Sequence, residues 1–209
     1  MTTPGPSPKR VPLIGLIGPI GSGKSTVAGW LADRGAAVVD ADLLTLELMS
    51  PGTPMTRAIV ARFGAEYCLA DGSLDRRALG RLVFSDPGRL AELEALVHPA
   101  FNERLAGVIA AAAAASPAAV VVEAIKLVEV GQAAGCDEVW LVICEPEAQL
   151  ARLTARGMNQ ADARQRIAAQ QDSLALWRAA ATRIIHTDGR LADVERSVDG
   201  AFKEALARL

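Results

Sequence analysis

The chain has 209 residues, of which 51% are hydrophobic, and this is enough apolar material to build a sizeable core as one domain. Its 22 basic and 24 acidic residues give a formal net charge of -2, so there is no broad positive field to hold a nucleic-acid backbone. The three cysteines, Cys68, Cys136 and Cys144, form neither a CxxC pair nor a disulfide framework. Composition therefore argues against a nucleic-acid partner and predicts reduced thiols.

Two segments bear on targeting and membrane insertion. Residues 1–11 contain three prolines, lack a long apolar run and are predicted to form a disordered tail on a cytoplasmic protein. Residues 105–122 carry no charge and approach the length of a membrane span. Ser116 and Pro117 interrupt that segment, which predicts a helix ending near Ala115, a turn and a buried strand, with no membrane partner.

Five short apolar runs predict buried strands, at residues 11–18, 36–42, 118–124, 138–144 and 182–187. Helical patterns separate these runs, which favours a three-layer α/β fold with a parallel sheet covered on both faces. The long, mostly helical stretch at about 56–116 predicts a substrate-binding insertion, with breaks at residues 86–88 and at Pro99. The main domain is predicted over residues 12–209.

A glycine-rich loop follows the first predicted strand. Its sequence, GPIGSGKS at residues 18–25, fits the pattern GxxxxGKS/T between a strand and a helix, which predicts a P-loop NTPase fold. Glycines let successive N–H groups turn towards phosphate oxygens, and the next helix presents its positive end to the same anion. We expect ATP phosphates to bind Gly18, Pro19, Ile20, Gly21, Ser22, Gly23, Lys24, Ser25 and Thr26. Lys24 should reach the β- and γ-phosphates, and the Ser25 hydroxyl should bind Mg²⁺.

Asp40 and Asp42 are predicted at the carboxyl end of the second strand, where ligands of open α/β sheets bind. Two residues apart on a strand, their side chains would point the same way. A carboxylate there can orient an acceptor hydroxyl and accept its proton. With water as the acceptor the protein would be an NTPase, and with a positioned alcohol it would be a kinase.

The ordered motifs resemble those of the dephospho-coenzyme A kinases. GPIGSGKST and VVDAD are followed, in the family's order and at similar spacing, by SPGTP at 50–54, FG, DGSLDRRAL and VFSDP within 61–87, LEALVHPAF at 93–101, QLARLTAR at 149–156 and RIAAQ at 166–170. The resemblance covers nearly the entire chain from Leu13 onward. It implies ATP-dependent phosphorylation of the ribose 3′-hydroxyl of dephospho-coenzyme A, a helical lid at about 150–172, and a monomer or weak homo-oligomer.

The same resemblance implies roles for individual residues. Asp42 matches the family's catalytic base, and Asp40 supports it or holds a magnesium-bound water. Arg156 in the lid would neutralise charge on the transferring phosphoryl group, a task suited to a planar guanidinium. On the acceptor side, His98 would hydrogen-bond the substrate and Arg76 would meet its pyrophosphate.

This sequence also departs from the family pattern. Pro19 removes one N–H from the loop, and AIKLVE replaces the family's VPLLFE at residues 124–129, beside Glu123 at a strand end. Thr182 and Thr187 stand where the family has Asp and Asn. Two alternatives therefore stay open: a small-molecule or nucleoside monophosphate kinase with another acceptor, and a nucleotide-binding regulator without transfer activity.

Overall fold

A computed structural model describes residues 10–209, so residues 1–9 of the predicted tail lie outside the described part of the chain. The strands are β1 Leu13–Ile17, β2 Ala37–Asp40, β3 Val120–Glu123, β4 Glu138–Ile143 and β5 Arg183–His186. The α-helices are α1 Lys24–Asp33, α2 Ala41–Leu48, α3 Pro54–Phe63, α4 Arg76–Ser85, α5 Pro87–Ala114, α6 Pro146–Ala155, α7 Gln160–Ala168, α8 Gln171–Ala180 and α9 Leu191–Arg208. The chain forms two compact units, one built from the segments up to Asp40 and from Ala111 onward, the other from Ala41–Ala110.

The first unit is built on a five-stranded sheet with the order β2-β3-β1-β4-β5. All four strand pairings are parallel. The five predicted strands are confirmed, with narrower bounds, and helices lie on both sides of the sheet, as the three-layer prediction requires. Because the strands are parallel, their carboxyl ends share one edge, and the segments that follow β1, β2 and β3 start from that edge.

The core on one side of the sheet joins the strands to α1 and α9. Fully or nearly fully buried side chains from these elements form one cluster, including Ile14, Val27, Leu31, Trp140 and Phe202. The rings of Trp140 and Phe202 meet edge to face, with centroids 6.5 Å apart and an interplanar angle of 83°. Such a pair adds about 0.5–1.5 kcal/mol beyond the apolar area that it buries. This packing fixes α1, and therefore the loop before it, against the sheet.

The second unit is helical. Its core is an apolar cluster of Met55, Ile59, Phe63, Leu74, Leu79 and Val83, with partly buried side chains of α5 packed against it. Helix α3 begins with Thr53 as its N-cap, whose side chain accepts a hydrogen bond from the Thr56 N–H. Asp75 caps α4 in the same way through the Ala78 N–H. The predicted break at residues 86–88 is confirmed, since α4 ends at Ser85 and α5 begins at Pro87.

The predicted break at Pro99 is wrong. Helix α5 runs through Pro99 without interruption, although proline lacks the N–H that would bond the carbonyl four residues earlier. On either side of it, Leu96, Val97 and Ala100 pack against the apolar cluster of the second unit. Tertiary packing therefore outweighs the local preference of a single exposed proline.

The alanine-rich segment behaves as predicted. Helix α5 ends at Ala114, Ser116 adopts a left-handed φ of 52°, and β3 begins at Val120. In the part of the chain that the structure describes, no helix has the length and apolarity needed to span a bilayer.

Candidate active site

The segment between β1 and α1 is a tightly packed loop. Gly18 has a φ of 154°, and a Cβ at this position would lie 2.3 Å from the backbone oxygen of Val142 on β4. Only glycine lets the loop pass this close to the neighbouring strand. Ser22, fully buried, closes a turn by donating its N–H to the Pro19 carbonyl at 3.2 Å. The loop is therefore held in one curved shape before any ligand arrives.

The N-terminus of α1 is prepared for an anion. Gly23 precedes the helix in a left-handed conformation with φ 93°, and no side chain among the described residues caps this end. The Gly23 carbonyl accepts the N–H groups of Thr26 and Val27 at 3.0 and 3.1 Å. Such a helix end, with N–H groups still to be satisfied and the positive pole of the helix dipole, binds phosphate.

Side chains of the predicted lid hold the loop from outside. The Gln170 Oε1 accepts the Ile20 N–H at 2.8 Å, and the Gln149 Nε2 donates to the Ile20 carbonyl at 3.0 Å. The Ile20 side chain packs on a small apolar cluster of Leu153, Ala163 and Ile167, on α6 and α7. The predicted loop and the predicted lid segment are therefore in direct contact in this structure.

Arg152 and Thr187 form a second support for the loop. The Arg152 Nη1 donates to the carbonyls of Gly21 and Ser22 at 3.3 and 3.0 Å and to the Thr187 Oγ1 at 2.9 Å. Its Nη2 donates to the Thr187 carbonyl at 2.8 Å. The Thr187 hydroxyl in turn donates to the Ser22 carbonyl at 2.5 Å. One guanidinium thus joins α6, the segment after β5 and the glycine-rich loop.

Lys24 meets a carboxylate in this structure. Its Nζ lies 2.7 Å from the Oε1 of Glu123, the last residue of β3, and the two side chains are only 12% and 14% exposed. Glu123 is in register with Asp40 on β2, so two carboxylates stand at neighbouring strand ends. This arrangement places the lysine and both acids at the edge of the sheet where the loop begins.

The two aspartates of the DAD sequence do not share a strand, which corrects the prediction. β2 ends at Asp40, and α2 begins at Ala41, so Asp42 lies in the first turn of a helix. The strand period therefore does not make the two side chains point the same way, as the sequence predicted. Both residues are exposed, and Asp42 belongs to the second unit.

Arg156 lies at the C-terminal end of α6 and is exposed. Together with Arg152 it lines a cavity of about 240 Å³ beside the loop. Gly23, Thr26, Trp30 and Thr187 also line that cavity. Arg156, the arginine predicted for the lid, therefore lines the same cavity as residues of the phosphate-loop helix, while Arg152 contacts the loop directly.

The other predicted substrate residues lie in the second unit with Asp42. Arg76 is the first residue of α4, and its Nη2 donates to the Leu46 carbonyl of α2 at 3.5 Å. His98 is half-buried in the middle of α5, beside Pro99. Arg76 is thus close to α2, one helical turn beyond Asp42.

The residues around the loop suit a magnesium ion that arrives with a nucleotide. Residues 10–209 contain no group of three or more His, Cys, Asp or Glu side chains able to hold a metal ion by themselves. The Ser25 hydroxyl and the strand-end carboxylates of Asp40 and Glu123 are hard oxygen donors of the kind that Mg²⁺ accepts. Mg²⁺ commonly takes one or two such ligands and completes its shell with waters and substrate phosphates.

Two thiols lie close to the strands that carry the site. The Cys144 Sγ donates to the Gly21 carbonyl at 3.7 Å, and burial raises the pKa of this thiol. Burial raises the pKa of Cys136, which packs against Gly15 of β1, to about 11. Both cysteines are free, as predicted from their spacing, and both stay protonated at neutral pH.

Several contacts were not predicted from the sequence. The sequence places Glu123 near a strand end but does not indicate that it pairs with Lys24. Gln149 and Gln170 lie in motifs that resemble the family's lid segment, but the sequence does not indicate their contacts with Ile20. Glu129, retained from the family pattern, accepts the indole N–H of the buried Trp177 at 3.0 Å, which gives it a structural part.

Comparisons with known proteins point to one family. The dephospho-CoA kinase family model matches residues 12–193. A dephospho-CoA kinase of Geobacter metallireducens is 44% identical over 199 residues, covering 94% of this chain and 98% of the relative. The crystal structure of TT1252 from Thermus thermophilus aligns with a TM-score of 0.78 and 34% identity, over 94% of this chain and 98% of the other. Dephospho-CoA kinase from Campylobacter jejuni shares the fold with a TM-score of 0.67, at 20% identity over 92% and 96% of the two chains.

Proposed function

Because this chain belongs to the dephospho-coenzyme A kinase family, we propose that it transfers the γ-phosphoryl group of ATP to the ribose 3′-hydroxyl of dephospho-coenzyme A. The products are coenzyme A and ADP, and the reaction is the last step of coenzyme A biosynthesis. The family and the enzyme class predicted from the sequence, a phosphotransferase, are confirmed. One observation carries the proposal: a largely buried lysine and a helix end that no side chain of residues 10–209 caps lie at the carboxyl edge of a parallel sheet, beside two carboxylates.

The loop from Gly18 to Thr26 binds the donor phosphates. Its curved backbone and the N-terminus of α1 supply N–H groups and a positive potential, and Lys24 adds a point charge at the β- and γ-phosphates. When nucleotide binds, Lys24 exchanges Glu123 for a phosphate oxygen. The part of ATP that lies beyond the loop is assigned to the cavity of about 240 Å³ beside Thr26 and Trp30.

The Ser25 hydroxyl and Asp40 would hold the magnesium ion that accompanies ATP, directly or through water. When bound, Mg²⁺ neutralises negative charge on the β- and γ-phosphates and orients them for transfer. Glu123 stands at the neighbouring strand end, and once released from Lys24 its carboxylate would be a further oxygen donor available to the ion.

Asp42 is the base for the acceptor hydroxyl. The 3′ oxygen forms a bond to the γ phosphorus while the bond from that phosphorus to the β–γ bridging oxygen breaks. The hydroxyl proton passes to the Asp42 carboxylate. Arg156 offsets negative charge on the phosphoryl group during transfer, and Arg152 keeps the loop in place.

The second unit binds the acceptor. Asp42, Arg76 and His98 all belong to it, and the predicted insertion at about 56–116 lies largely within its bounds. Arg76 meets the acceptor's pyrophosphate with a charge-assisted hydrogen bond, and His98 bonds another polar group of the substrate. The lid at about 150–172 closes over ATP and excludes water, which limits wasteful hydrolysis. A cytoplasmic location and a monomeric or weakly associated state stay predictions.

The experiment that tests this function is ADP release by the purified protein with Mg²⁺ and ATP. Dephospho-coenzyme A, a panel of nucleoside monophosphates and water alone serve as acceptors. Turnover confined to dephospho-coenzyme A, with the phosphate placed on the ribose 3′ oxygen by ³¹P NMR, supports the proposal. Turnover with a monophosphate instead identifies another small-molecule kinase, and ATP binding without turnover identifies a nucleotide-binding regulator.

A further inference from the structure

The second unit contains a cavity that none of the roles above uses. Its volume is about 470 Å³, within the range of roughly 300–1,000 Å³ that is typical of small-molecule sites. Its walls are formed mainly by the apolar side chains of Leu48, Pro54, Met55, Ala58 and Ala100. These side chains come from α2, α3 and α5, so packing of three helices defines the cavity.

The mouth of the cavity is polar and is not firmly closed. Glu47 and Arg104 line it, with the Arg104 Nη2 and the Glu47 Oε2 3.9 Å apart. Both side chains are more than half exposed, and an ion pair of this kind contributes little and opens easily. A ligand can therefore enter past charged groups into an apolar interior.

The cavity lies further along the helix that carries the proposed base. Asp42 is in the first turn of α2, Arg76 bonds the Leu46 carbonyl one turn later, and Leu48 at the end of α2 lines the cavity. At 1.5 Å per residue, Leu48 is about 9 Å beyond Asp42 along the helix axis. The proposed base, the contact with the Arg76 cation of α4 and the edge of the apolar cavity thus follow one another along α2.

Dephospho-coenzyme A has the same sequence of chemical parts. Its ribose carries the reacting hydroxyl, a pyrophosphate follows, and the pantetheine arm continues with two methyl groups, two amides and a thiol. We propose that this cavity receives the pantetheine arm, with its methyl groups against Met55 and Ala58 and with Arg104 at the mouth near the pyrophosphate. The inference rests on the proposed function. The adenine ring is the poorer occupant, because none of the side chains that line the cavity is aromatic.

The test fills the cavity without touching the residues of the reaction. Ala100→Phe places a ring in it, and Ala58→Leu fills it with a smaller side chain in case the first variant does not fold. Ala95→Phe, at an exposed position of the same helix, is the matched control. For both cavity variants we expect the KM for dephospho-coenzyme A to rise about tenfold or more, while the KM for ATP stays within about twofold. The control should resemble the wild type in both constants.

Fragments of the acceptor locate the effect. Two compounds are tested as competitive inhibitors of dephospho-coenzyme A phosphorylation at saturating ATP. One is 4′-phosphopantetheine, which is the arm alone, and the other is AMP, which lacks the arm. The proposal expects the Ala58→Leu variant to lose inhibition by 4′-phosphopantetheine and to keep inhibition by AMP. Loss of inhibition by AMP alone would assign the cavity to the nucleoside and overturn the proposal, as would unchanged constants in both variants.

Failure of the function and failure of this inference are distinguishable. If the wild type does not phosphorylate dephospho-coenzyme A, binding of 4′-phosphopantetheine is measured directly by calorimetry. Binding that the Ala58→Leu variant loses and the Ala95→Phe variant keeps would retain the cavity as a pantetheine site on a protein with another activity. Absence of binding to the wild type would overturn the inference.

Discussion

The ammonium group of Lys24 and the carboxylate of Glu123 form a largely buried ion pair, with 2.7 Å between Nζ and Oε1. Without nucleotide, Glu123 therefore neutralises the charge that the loop lysine is proposed to offer to phosphate. Removing one member of such a pair leaves the other charge buried and unpaired, which typically costs about 3–5 kcal/mol. Replacing both members by neutral groups costs far less.

We therefore expect Lys24→Met to lower the free energy of unfolding of the ligand-free protein by about 3 kcal/mol. The double variant Lys24→Met with Glu123→Gln should recover most of that stability but stay inactive, because it still lacks the phosphate-binding cation. Urea unfolding and ADP release measure the two effects separately. Lys203→Met, which breaks an exposed pair with Asp199, is the control and should change stability by less than about 1 kcal/mol. Equal instability of the single and double variants would contradict the ion-pair explanation.

Asp42→Asn removes the proposed base and keeps the size of the side chain. We expect kcat to fall by about 10² to 10⁴, the usual contribution of a positioned general base, while ATP affinity stays nearly unchanged. Calorimetric titration with a non-hydrolysable ATP analogue checks affinity, and ADP release checks turnover. Glu103→Gln, at an exposed position on α5, is the control for loss of one negative charge. An unchanged kcat would exclude Asp42 from this role.

Arg152→Lys tests the support of the glycine-rich loop. Lysine keeps the charge but cannot reproduce the planar fork that donates to Ser22 and to Thr187 at the same time. We expect the KM for ATP to rise about tenfold, because each lost charge-assisted hydrogen bond weakens the shape of the loop, and the KM for dephospho-coenzyme A to change little. Arg166→Lys, exposed on α7, should leave both constants as in the wild type. A rise only in the acceptor KM would show that Arg152 serves the other substrate.

Local signals explain how much of the site could be predicted from the sequence. The loop was predicted because strand, glycines, lysine and helix follow one another without a gap, and each local preference agrees with the fold. The Gln170 contact with Ile20 was not predicted, because 150 positions separate the two residues and neither pattern contains information about the other. The partner of Lys24 was missed for the same reason, since Glu123 lies 99 positions away.

Boundaries between elements were harder to predict. The sequence of residues 36–42 predicts one strand, because an apolar run followed by two aspartates fits a strand end. In the structure the helix begins at Ala41, and the buried side chains of Ala41 and Leu44 follow helical spacing. Seven residues are too few to reveal, from one sequence, a change from the strand period to the helix period. The sequence therefore predicted Asp40 and Asp42 as site residues, but it did not predict that one ends a strand and the other lies in the first turn of a helix.

The thiol of Cys136 predicts a pH dependence of stability. Its pKa is raised by burial from 9.0 to about 11, so the folded protein keeps a proton that the unfolded chain releases above pH 9. The stabilising contribution is complete below pH 9 and is lost as the pH rises towards 11. Cys136→Ala should therefore show a smaller decline in unfolding free energy between pH 9 and 11 than the wild type does. Parallel declines in urea unfolding series would contradict the burial argument.

Pro99 predicts a stabilising substitution. The residue is exposed within α5, and its ring removes one helical hydrogen bond while its neighbours Leu96 and Ala100 keep their packing. Pro99→Ala restores the N–H that can bond the Ala95 carbonyl, so we expect the unfolding free energy to rise by about 1–3 kcal/mol. Ala95→Gly in the same exposed part of the helix should act in the opposite direction, by about 1 kcal/mol. Lower stability of Pro99→Ala would mean that the proline holds a bend of α5 on which packing of the second unit depends. In that case, KM for dephospho-coenzyme A should rise as well, because His98 would move with the helix.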